Sequence, residues 1–208
     1  MPRGFSDEEK ERIHAGLLAQ ARACLATYGV RKTSVDDLVA AVGISKGAFY
    51  LFFPSKEDLF FTVFEQAEAA YHAELLARLD AASGPPQERV RTFLQAAVHL
   101  WRANPLFHHF GEAEVAYLAR KLAPARLAAN QDRDEALAAA LLARSRARGL
   151  PLGTTPTAFA GLLRALFFIS LHTDDIGPAA PATLALLIDL LAAHLVAGPA
   201  PVAEPPHA

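Results

Sequence analysis

The sequence predicts an all-α protein, and three features support this prediction. Segments between the prolines and glycines are rich in Ala, Leu, Arg and Glu and poor in β-branched residues. These segments lack the sustained alternation of apolar and polar residues that is typical of strands. Several begin with Ser or Thr followed three residues later by an acid, which is the pattern of a helix N-cap. The expected architecture is a three-helix head followed by a larger helical domain, with about nine helices in all.

Capping pairs and chain breaks place each element. Caps are predicted in three pairs, Ser6 with Glu9, Thr33 with Asp36, and Ser55 with Asp58. Breaks are expected at prolines and glycines, among them Gly29, Gly43 and residues 177–181. The helices are therefore expected at roughly residues 7–28, 34–41, 45–52, 55–81, 87–103, 106–121, 125–148, 156–172 and 182–197. The first helix has an apolar stripe that is expected to brace the head: Ile13, Leu17, Ala21, Cys24, Leu25 and Tyr28.

Length and composition exclude several classes of protein. The chain has 208 residues, of which 52% are hydrophobic and 20% charged, so it is too apolar for a disordered protein and long enough for a small module joined to a larger one. We find no unbroken apolar run long enough to span a bilayer as a helix, so no membrane partner is expected. The densest apolar stretch, residues 158–171, contains Arg164 and is expected to be a buried helix.

Cysteine content and charge bear on the compartment and on the kind of partner. One cysteine excludes an intramolecular disulfide and a multi-cysteine zinc site. Acids at Asp7, Glu8 and Glu9 stand where a signal peptide requires a basic start, so a cytoplasmic protein is expected. The net charge of −2 gives no overall attraction to nucleic acid. Any such binding must come from a local patch, and residues 31–56, with four basic residues against two acids, are the candidate.

The most informative stretch, residues 33–60, has the pattern of a helix-turn-helix. Its first helix has one apolar stripe, formed by Val35, Leu38, Val39 and Val42. Gly43 then permits a tight turn, and Ser45 is expected to cap a second short helix. On that second helix Phe49 and Phe52, three residues apart, are expected to face inward. In such a motif the second helix enters the major groove of DNA.

The outer side of the second helix is small and polar, which suits contact with DNA. Lys46 can reach guanine O6 and N7 or a phosphate, and Ala48 can touch a thymine methyl. Serine and threonine at helix starts are natural phosphate sites, to which Lys56 adds a full charge. The predicted DNA-binding residues are Thr33, Ser34, Ser45, Lys46, Gly47, Ala48, Tyr50, Leu51 and Lys56.

The whole run resembles the DNA-binding domain of the TetR family of bacterial regulators. That signature has a Thr-initiated helix, Ala-Gly-Val-Ser-Lys-Gly through the turn, a Tyr, an aromatic-Phe pair and Lys-Glu-x-Leu. Matching residues are Thr33, Gly43, Ser45, Lys46, Gly47, Tyr50, Phe53, Lys56, Glu57 and Leu59. The chain departs from it at Val39 and Val42, where the family usually has alanine, and at Phe52, where tyrosine or histidine is frequent.

The resemblance covers roughly residues 11–71 and implies the rest of the organisation. Residues 11–71 would bind DNA, residues 72–197 would bind an effector and dimerise, and residues 198–208, rich in proline, are expected to be a disordered tail. The implied function is a ligand-responsive, dimeric transcriptional regulator, most often a repressor, released from a palindromic operator by a small apolar effector. The expected partners are double-stranded DNA, the effector and a second copy of the chain.

Two further sets of residues follow from the second region. Aromatic side chains with polar groups nearby suit an apolar effector cavity. The predicted effector-binding residues are Trp101, Phe107, His108, Phe110, Glu114, Tyr117 and Phe168. The last two helices are apolar over more than one face, which favours burial against a second chain as well as the chain's own core. The predicted dimer residues are Phe159, Leu163, Leu166, Phe167, Leu184, Leu187, Leu191 and Leu195.

Two other functions compete with this interpretation. A helical small-molecule carrier or enzyme that retains the head fold is disfavoured because the sequence has no paired acid and base at a fixed spacing, no Gly-rich phosphate loop and no Gly-x-Ser-x-Gly. We therefore expect no enzymatic activity and no cofactor. A metal site is not expected either, since no His pair at i, i+4 encloses a Glu. The acidic total charge argues against a nonspecific DNA-coating protein.

Overall fold

The computed structural model describes residues 5–108 and 112–198, except for the side chains of residues 108, 112, 113 and 115. Within these ranges every regular element is a helix, which confirms the all-α prediction. The expected proline-rich tail and Phe110 lie outside the described residues. The helices are α1 Asp7–Lys32, α2 Val35–Val42, α3 Lys46–Phe49, α4 Lys56–Ala81, α5 Pro86–Ala103, α6 Pro105–His108, α7 Glu112–Lys121, α8 Pro124–Ala147, α9 Pro156–Leu171, α10 Thr173–Ile176 and α11 Ala180–Ala197.

Two predicted boundaries were wrong. The helix expected at 106–121 falls on α6 and α7, and residues 109–111 between them lie outside the described part. The helix expected at 45–52 keeps α-helical form only to Phe49, because the amides of Leu51 and Phe52 bond three residues back, to the carbonyls of Ala48 and Phe49, in a tighter turn. The break expected at 177–181 is bridged by α10 and a 3₁₀ turn at Gly177–Ala179, and Pro181 is accommodated in the first turn of α11.

The predicted end of α1 at residue 28 coincides with a kink. Gly29 has φ 77° and ψ 175°, a conformation that side chains disfavour, and one more helical turn follows. Tyr28, just before the kink, is exposed, so the prediction that it faces inward was wrong. Val30, just beyond the kink, is fully buried instead. The other members of the predicted stripe are buried as expected: Ile13, Leu17, Ala21, Cys24 and Leu25.

The described residues form two compact units. Unit 1 comprises residues 5–70 together with Asn104–Asn130. Unit 2 comprises Tyr71–Ala103 and the residues from Gln131 onward. Residues 104–130 pack with the head because Phe107, fully buried, lies edge-on to Phe64 at a centroid distance of 5.7 Å. The functional division at residue 71 stays a prediction, and the packing follows a different boundary.

The core of unit 2 is built on α5, which packs against α9 and α11. Phe93 of α5 and Phe159 of α9 stack with their ring centroids 6.5 Å apart. Both rings line an apolar cavity of about 10 Å³. Space of that size holds roughly one water molecule, so this cavity does not accommodate an organic effector.

The C-terminal segment of the described residues is more apolar than predicted. Among the described residues, Thr173–Ala197 is long and apolar enough to cross a membrane, judged by length and composition alone. The expectation that no such run exists was wrong, because the apolar segment continues through residues 177–181. Its charged residues are Asp174, Asp175 and Asp189. Only 28% of its apolar window is buried within the chain. The same features are typical of a helix that packs on another protein surface.

Candidate nucleic-acid interface

The N-terminus of α2 is fixed by a capping box one residue later than predicted. The Ser34 hydroxyl accepts a hydrogen bond from the Asp37 amide at 3.2 Å, and the Asp37 carboxylate accepts one from the Ser34 amide at 2.9 Å. The predicted cap, Thr33 with Asp36, was therefore wrong. The Thr33 hydroxyl is buried and donates to the Gly29 carbonyl at 3.0 Å. Thr33 closes the end of α1 and does not present its hydroxyl at the surface.

The turn between α2 and α3 confirms the predicted helix-turn-helix. Gly43 adopts the left-handed conformation, φ 75° and ψ 33°, and its amide donates to the Val39 carbonyl at 2.9 Å. Leu38 and Val39 are buried, whereas Val42 is half-buried against Gly16 of α1. A Cβ atom on Gly16 would lie 3.3 Å from Cγ1 of Val42, so this glycine sets how closely α1 and α2 approach.

Most of the predicted contact residues of α3 and the following turn are exposed. Ser45 caps α3 as expected, since its hydroxyl accepts from the Ala48 amide at 3.2 Å. Ala48 itself is half-buried. The exposed members of the predicted set are Ser34, Ser45, Lys46, Gly47, Tyr50 and Leu51. The inner side of α3 is held in the core by Phe49, which is fully buried.

The second inward-facing aromatic of this segment is Phe53, not Phe52. Phe53 is buried and stacks on the imidazole of His14 at a centroid distance of 5.1 Å. Phe52 is half-buried, with its ring 6.2 Å from that of Phe5. The spacing of three residues predicted the wrong ring because the α-helix ends at Phe49.

Two lysines that the sequence placed at the interface have intramolecular partners. The Lys46 ammonium forms an ion pair with Asp36 of α2, with Nζ and Oδ2 3.1 Å apart. The Lys56 ammonium is half-buried and donates to the carbonyls of Thr33 at 2.7 Å and Val30 at 3.0 Å. Lys56 therefore ties the first residue of α4 to the backbone between α1 and α2. Ser55 caps α4 as predicted, accepting from the Asp58 amide at 3.0 Å.

Comparison with known proteins agrees with this geometry. A family model described as bacterial regulatory proteins, tetR family, matches residues 17–63, which include α2, the turn and α3. The HTH-type transcriptional regulator EthR of Mycolicibacterium smegmatis is 28% identical over 91 residues, or 44% of this chain and 42% of EthR. The aligned part is thus less than half of that relative's length.

Solved structures agree over a longer stretch. A protein of Mesorhizobium loti described as a candidate TetR-family transcriptional regulator has a TM-score of 0.63 at 18% identity, covering 90% of this chain and 96% of that one. The fatty acid degradation regulator FadR of Bacillus halodurans has a TM-score of 0.60 at 16% identity, covering 93% and 98%. Residues 17–63 match the tetR family model, and the fold of the chain is that of TetR-family transcriptional regulators. These likenesses point to a transcriptional regulator and not to an enzyme.

Two residues predicted to bind an effector lie against the TetR-family head in unit 1. The Glu114 carboxylate accepts a hydrogen bond from the Arg31 amide at 3.1 Å. The Tyr117 hydroxyl donates to the buried carboxylate of Glu57, which raises the pKa of Tyr117 to about 12. The Arg31 guanidinium lies 6.0 Å from the centre of the Tyr117 ring. Helix α7 thereby contacts the residues that precede α2 and those that begin α4.

The remaining predicted effector residues are divided between the two units. Trp101, in unit 2, stacks on Phe167 at a centroid distance of 4.5 Å, and Tyr71 lies edge-on to Trp101 at 5.6 Å. Phe168, also in unit 2, is exposed. Phe107 is in the core of unit 1, and the side chain of residue 108 lies outside the described part. The sequence pattern identified these aromatic residues as apolar. It did not indicate which of the two units each residue packs in.

Most of the predicted dimer residues belong to the core of the chain itself. Those buried within the chain are Phe159, Leu163, Leu166, Leu184 and Leu195, and those half-buried are Phe167, Leu187 and Leu191. Two exposed leucines of α11 are outside that predicted set, Leu186 and Leu190, whose exposed fractions are 59% and 58%. They lie four residues apart and so share one face of α11, and this spacing was the available signal.

Arg126, which no sequence pattern singled out, binds three side chains of α4. Its guanidinium lies 2.6 Å from the Asp58 carboxylate, 2.7 Å from that of Glu65 and 2.8 Å from the Thr62 hydroxyl. It also lies over the Phe61 ring at 5.0 Å from the centroid. Arg126 thereby fixes the start of α8 to α4 within unit 1.

Proposed function

We propose that the chain is a ligand-responsive, dimeric, DNA-binding transcriptional regulator of the cytoplasm. It acts as a repressor at a palindromic operator. One observation supports DNA binding above all. A short helix anchored by Phe49 exposes Lys46, Gly47, Tyr50 and Leu51 beside a well-capped α2. Small exposed residues let a backbone approach base edges, and the lysine supplies the cation that phosphates or guanine require.

DNA binding is tested by selecting duplexes from a random pool with the full chain and measuring affinity against salt. The logarithm of the binding constant is expected to fall linearly with the logarithm of salt concentration, with a slope of about −0.9 per phosphate neutralised. Lys46→Met is expected to weaken binding to the selected duplex about 10-fold. A chain that prefers no duplex over random sequence would refute the proposal.

Lys10→Met is the matched control for Lys46→Met. Both lysines are exposed to a similar degree, 56% and 54%, and each forms an ion pair with an aspartate. The two variants therefore lose the same charge and a similar surface contact. Lys10 lies in the first turn of α1 and outside the predicted set of DNA-binding residues, so Lys10→Met is expected to keep affinity and salt slope close to those of the unchanged chain.

Dimerisation through α9 and α11 is supported by unpartnered apolar surface. Leu186 and Leu190 are exposed on α11, and Phe168 is exposed on α9. A second copy of the chain is the proposed occupant, because two heads related by a two-fold axis match a palindromic site with half-sites roughly 34 Å apart. Sedimentation of the full chain is expected to give a dimer, and a monomer at micromolar concentration would refute this part.

Effector binding is proposed for the second region. The aromatic cluster of Tyr71, Trp101 and Phe167 supplies apolar surface within unit 2. An effector that favours one shape of the dimer with a coupling of about 1–3 kcal/mol would weaken operator binding roughly 5- to 150-fold. Trp101 is the sole tryptophan of the chain, so a screen of small apolar compounds can use its fluorescence. Compounds that shift this emission are expected to release the selected duplex.

A further inference from the structure

The ion pair between Asp36 and Lys46 joins the two helices of the DNA-binding motif. Asp36 is in the first turn of α2, and Lys46 is the first residue of α3. Their side chains are 70% and 54% exposed, with Oδ2 and Nζ 3.1 Å apart. The neighbouring Asp37 is occupied by the capping box with Ser34, so the two adjacent carboxylates have separate partners.

The ion pair between Asp36 and Lys46 contributes little to the stability of the fold. Exposed ion pairs stabilise folded proteins only slightly, since water already solvates both charges well. Its effect on Lys46 is larger, because an exposed lysine is flexible and binds any phosphate as a point charge. A carboxylate 3.1 Å away competes with phosphates for the Lys46 ammonium and lowers the positive potential that Lys46 presents to DNA.

We propose that Asp36 is a specificity-determining residue that acts through Lys46. It holds the ammonium away from the phosphates of arbitrary DNA and leaves it to bind where a base edge offers paired acceptors, as guanine does with O6 and N7. Specificity then comes from suppressing the wrong contact as well as from forming the right one. This inference rests on the proposed function, since it requires that the exposed face of α3 binds DNA.

The test compares Asp36→Asn with the unchanged full chain on two probes. One probe is a random-sequence duplex of about 30 base pairs, and the other is the duplex that the unchanged chain selects from a random pool. Asp36→Asn is expected to tighten binding to the random duplex about 3- to 10-fold and to change binding to the selected duplex less than about 2-fold. The salt slope on the random duplex is expected to steepen by about 0.9, because Lys46 then neutralises one more phosphate.

Three further variants separate this role from a general charge effect. Asp36→Glu is expected to keep the original ratio of the two affinities, since it retains the carboxylate. Glu11→Gln removes one exposed negative charge from α1 and is expected to leave that ratio unchanged. In a Lys46→Met background, Asp36→Asn is expected to have no effect on the ratio.

The outcomes are distinguishable from failure of the proposed function. If the unchanged chain selects no duplex, DNA binding itself fails. If it selects one but Asp36→Asn leaves the affinity ratio and the salt slope unchanged, the role of Asp36 is refuted. An equal gain on the random duplex in the Lys46→Met background also overturns the inference, because Asp36 would then act by direct repulsion and not through Lys46.

Discussion

Replacement of Lys56 by methionine tests whether this residue orders the head or binds DNA. The ammonium donates to the carbonyls of Thr33 and Val30, at 2.7 and 3.0 Å, where α1 passes into α2. A hydrogen bond from a charged group contributes about 1.5–3 kcal/mol. Because Lys56 is half-buried, water replaces part of both bonds, and we expect Lys56→Met to lower the free energy of unfolding by about 2 kcal/mol.

The assay combines thermal unfolding with the salt dependence of DNA binding. A loss of about 2 kcal/mol lowers the Tm of a chain of this length by roughly 4–8 °C. The salt slope is expected to stay unchanged, because no phosphate contact is lost. Lys32→Met, which removes an exposed lysine at the end of α1, is expected to change stability by less than about 0.5 kcal/mol.

The phosphate-binding role predicted from the sequence gives the opposite result. If Lys56 contacts a phosphate, Lys56→Met reduces the magnitude of the salt slope by about 0.9 and leaves Tm nearly unchanged. A reduced slope with an unaltered Tm would therefore refute the role of Lys56 in ordering the head. The two measurements are independent. If Lys56→Met lowered both Tm and the magnitude of the salt slope, Lys56 would both order the head and bind a phosphate.

Three other changes have definite expected results. Gly43→Ala is expected to cost about 1–2 kcal/mol in urea unfolding because φ is 75°, and Gly43→Asn to recover part of the loss. Leu186→Glu is expected to convert the dimer to a monomer in sedimentation; a dimer that persists would contradict the proposed interface. Burial lowers the pKa of His72 more than the nearby Asp134 raises it. As the pH falls, His72 is therefore protonated at a higher pH in the unfolded chain than in the folded one. The free energy of unfolding is therefore expected to fall as pH drops below about 6.5, and His72→Gln to flatten that dependence.

Features determined by neighbouring residues were predictable from the sequence. Ser6 with Glu9 and Ser55 with Asp58 form caps because both partners lie within one turn. Gly43 is at the turn because a left-handed residue is required there. The helix-turn-helix follows from these signals and from the apolar stripe of α2, since each depends on spacing along the chain.

Features that depend on distant partners were not predictable in the same way. The stripe of α1 predicted a buried Tyr28, but Tyr28 is exposed, and Val30, beyond the kink at Gly29, is buried instead. Lys56 has the residue type and position of a phosphate ligand, yet it bonds carbonyls more than twenty residues away in the chain. A sequence pattern indicates which face is apolar, but it does not identify the partner of a polar group on that face.

Glu114 and Tyr117 show what this limit means for regulation. Their polarity amid aromatic residues suggested an effector pocket, whereas the structure joins them to the Arg31 amide and the Glu57 carboxylate. Arg31 lies just before α2, and Glu57 lies in the first turn of α4, so these bonds fix both ends of the DNA-binding motif. A displacement of α7 would act on the motif at both points. Under the proposed function, these two residues would transmit a displacement of α7 to the head without contacting the effector.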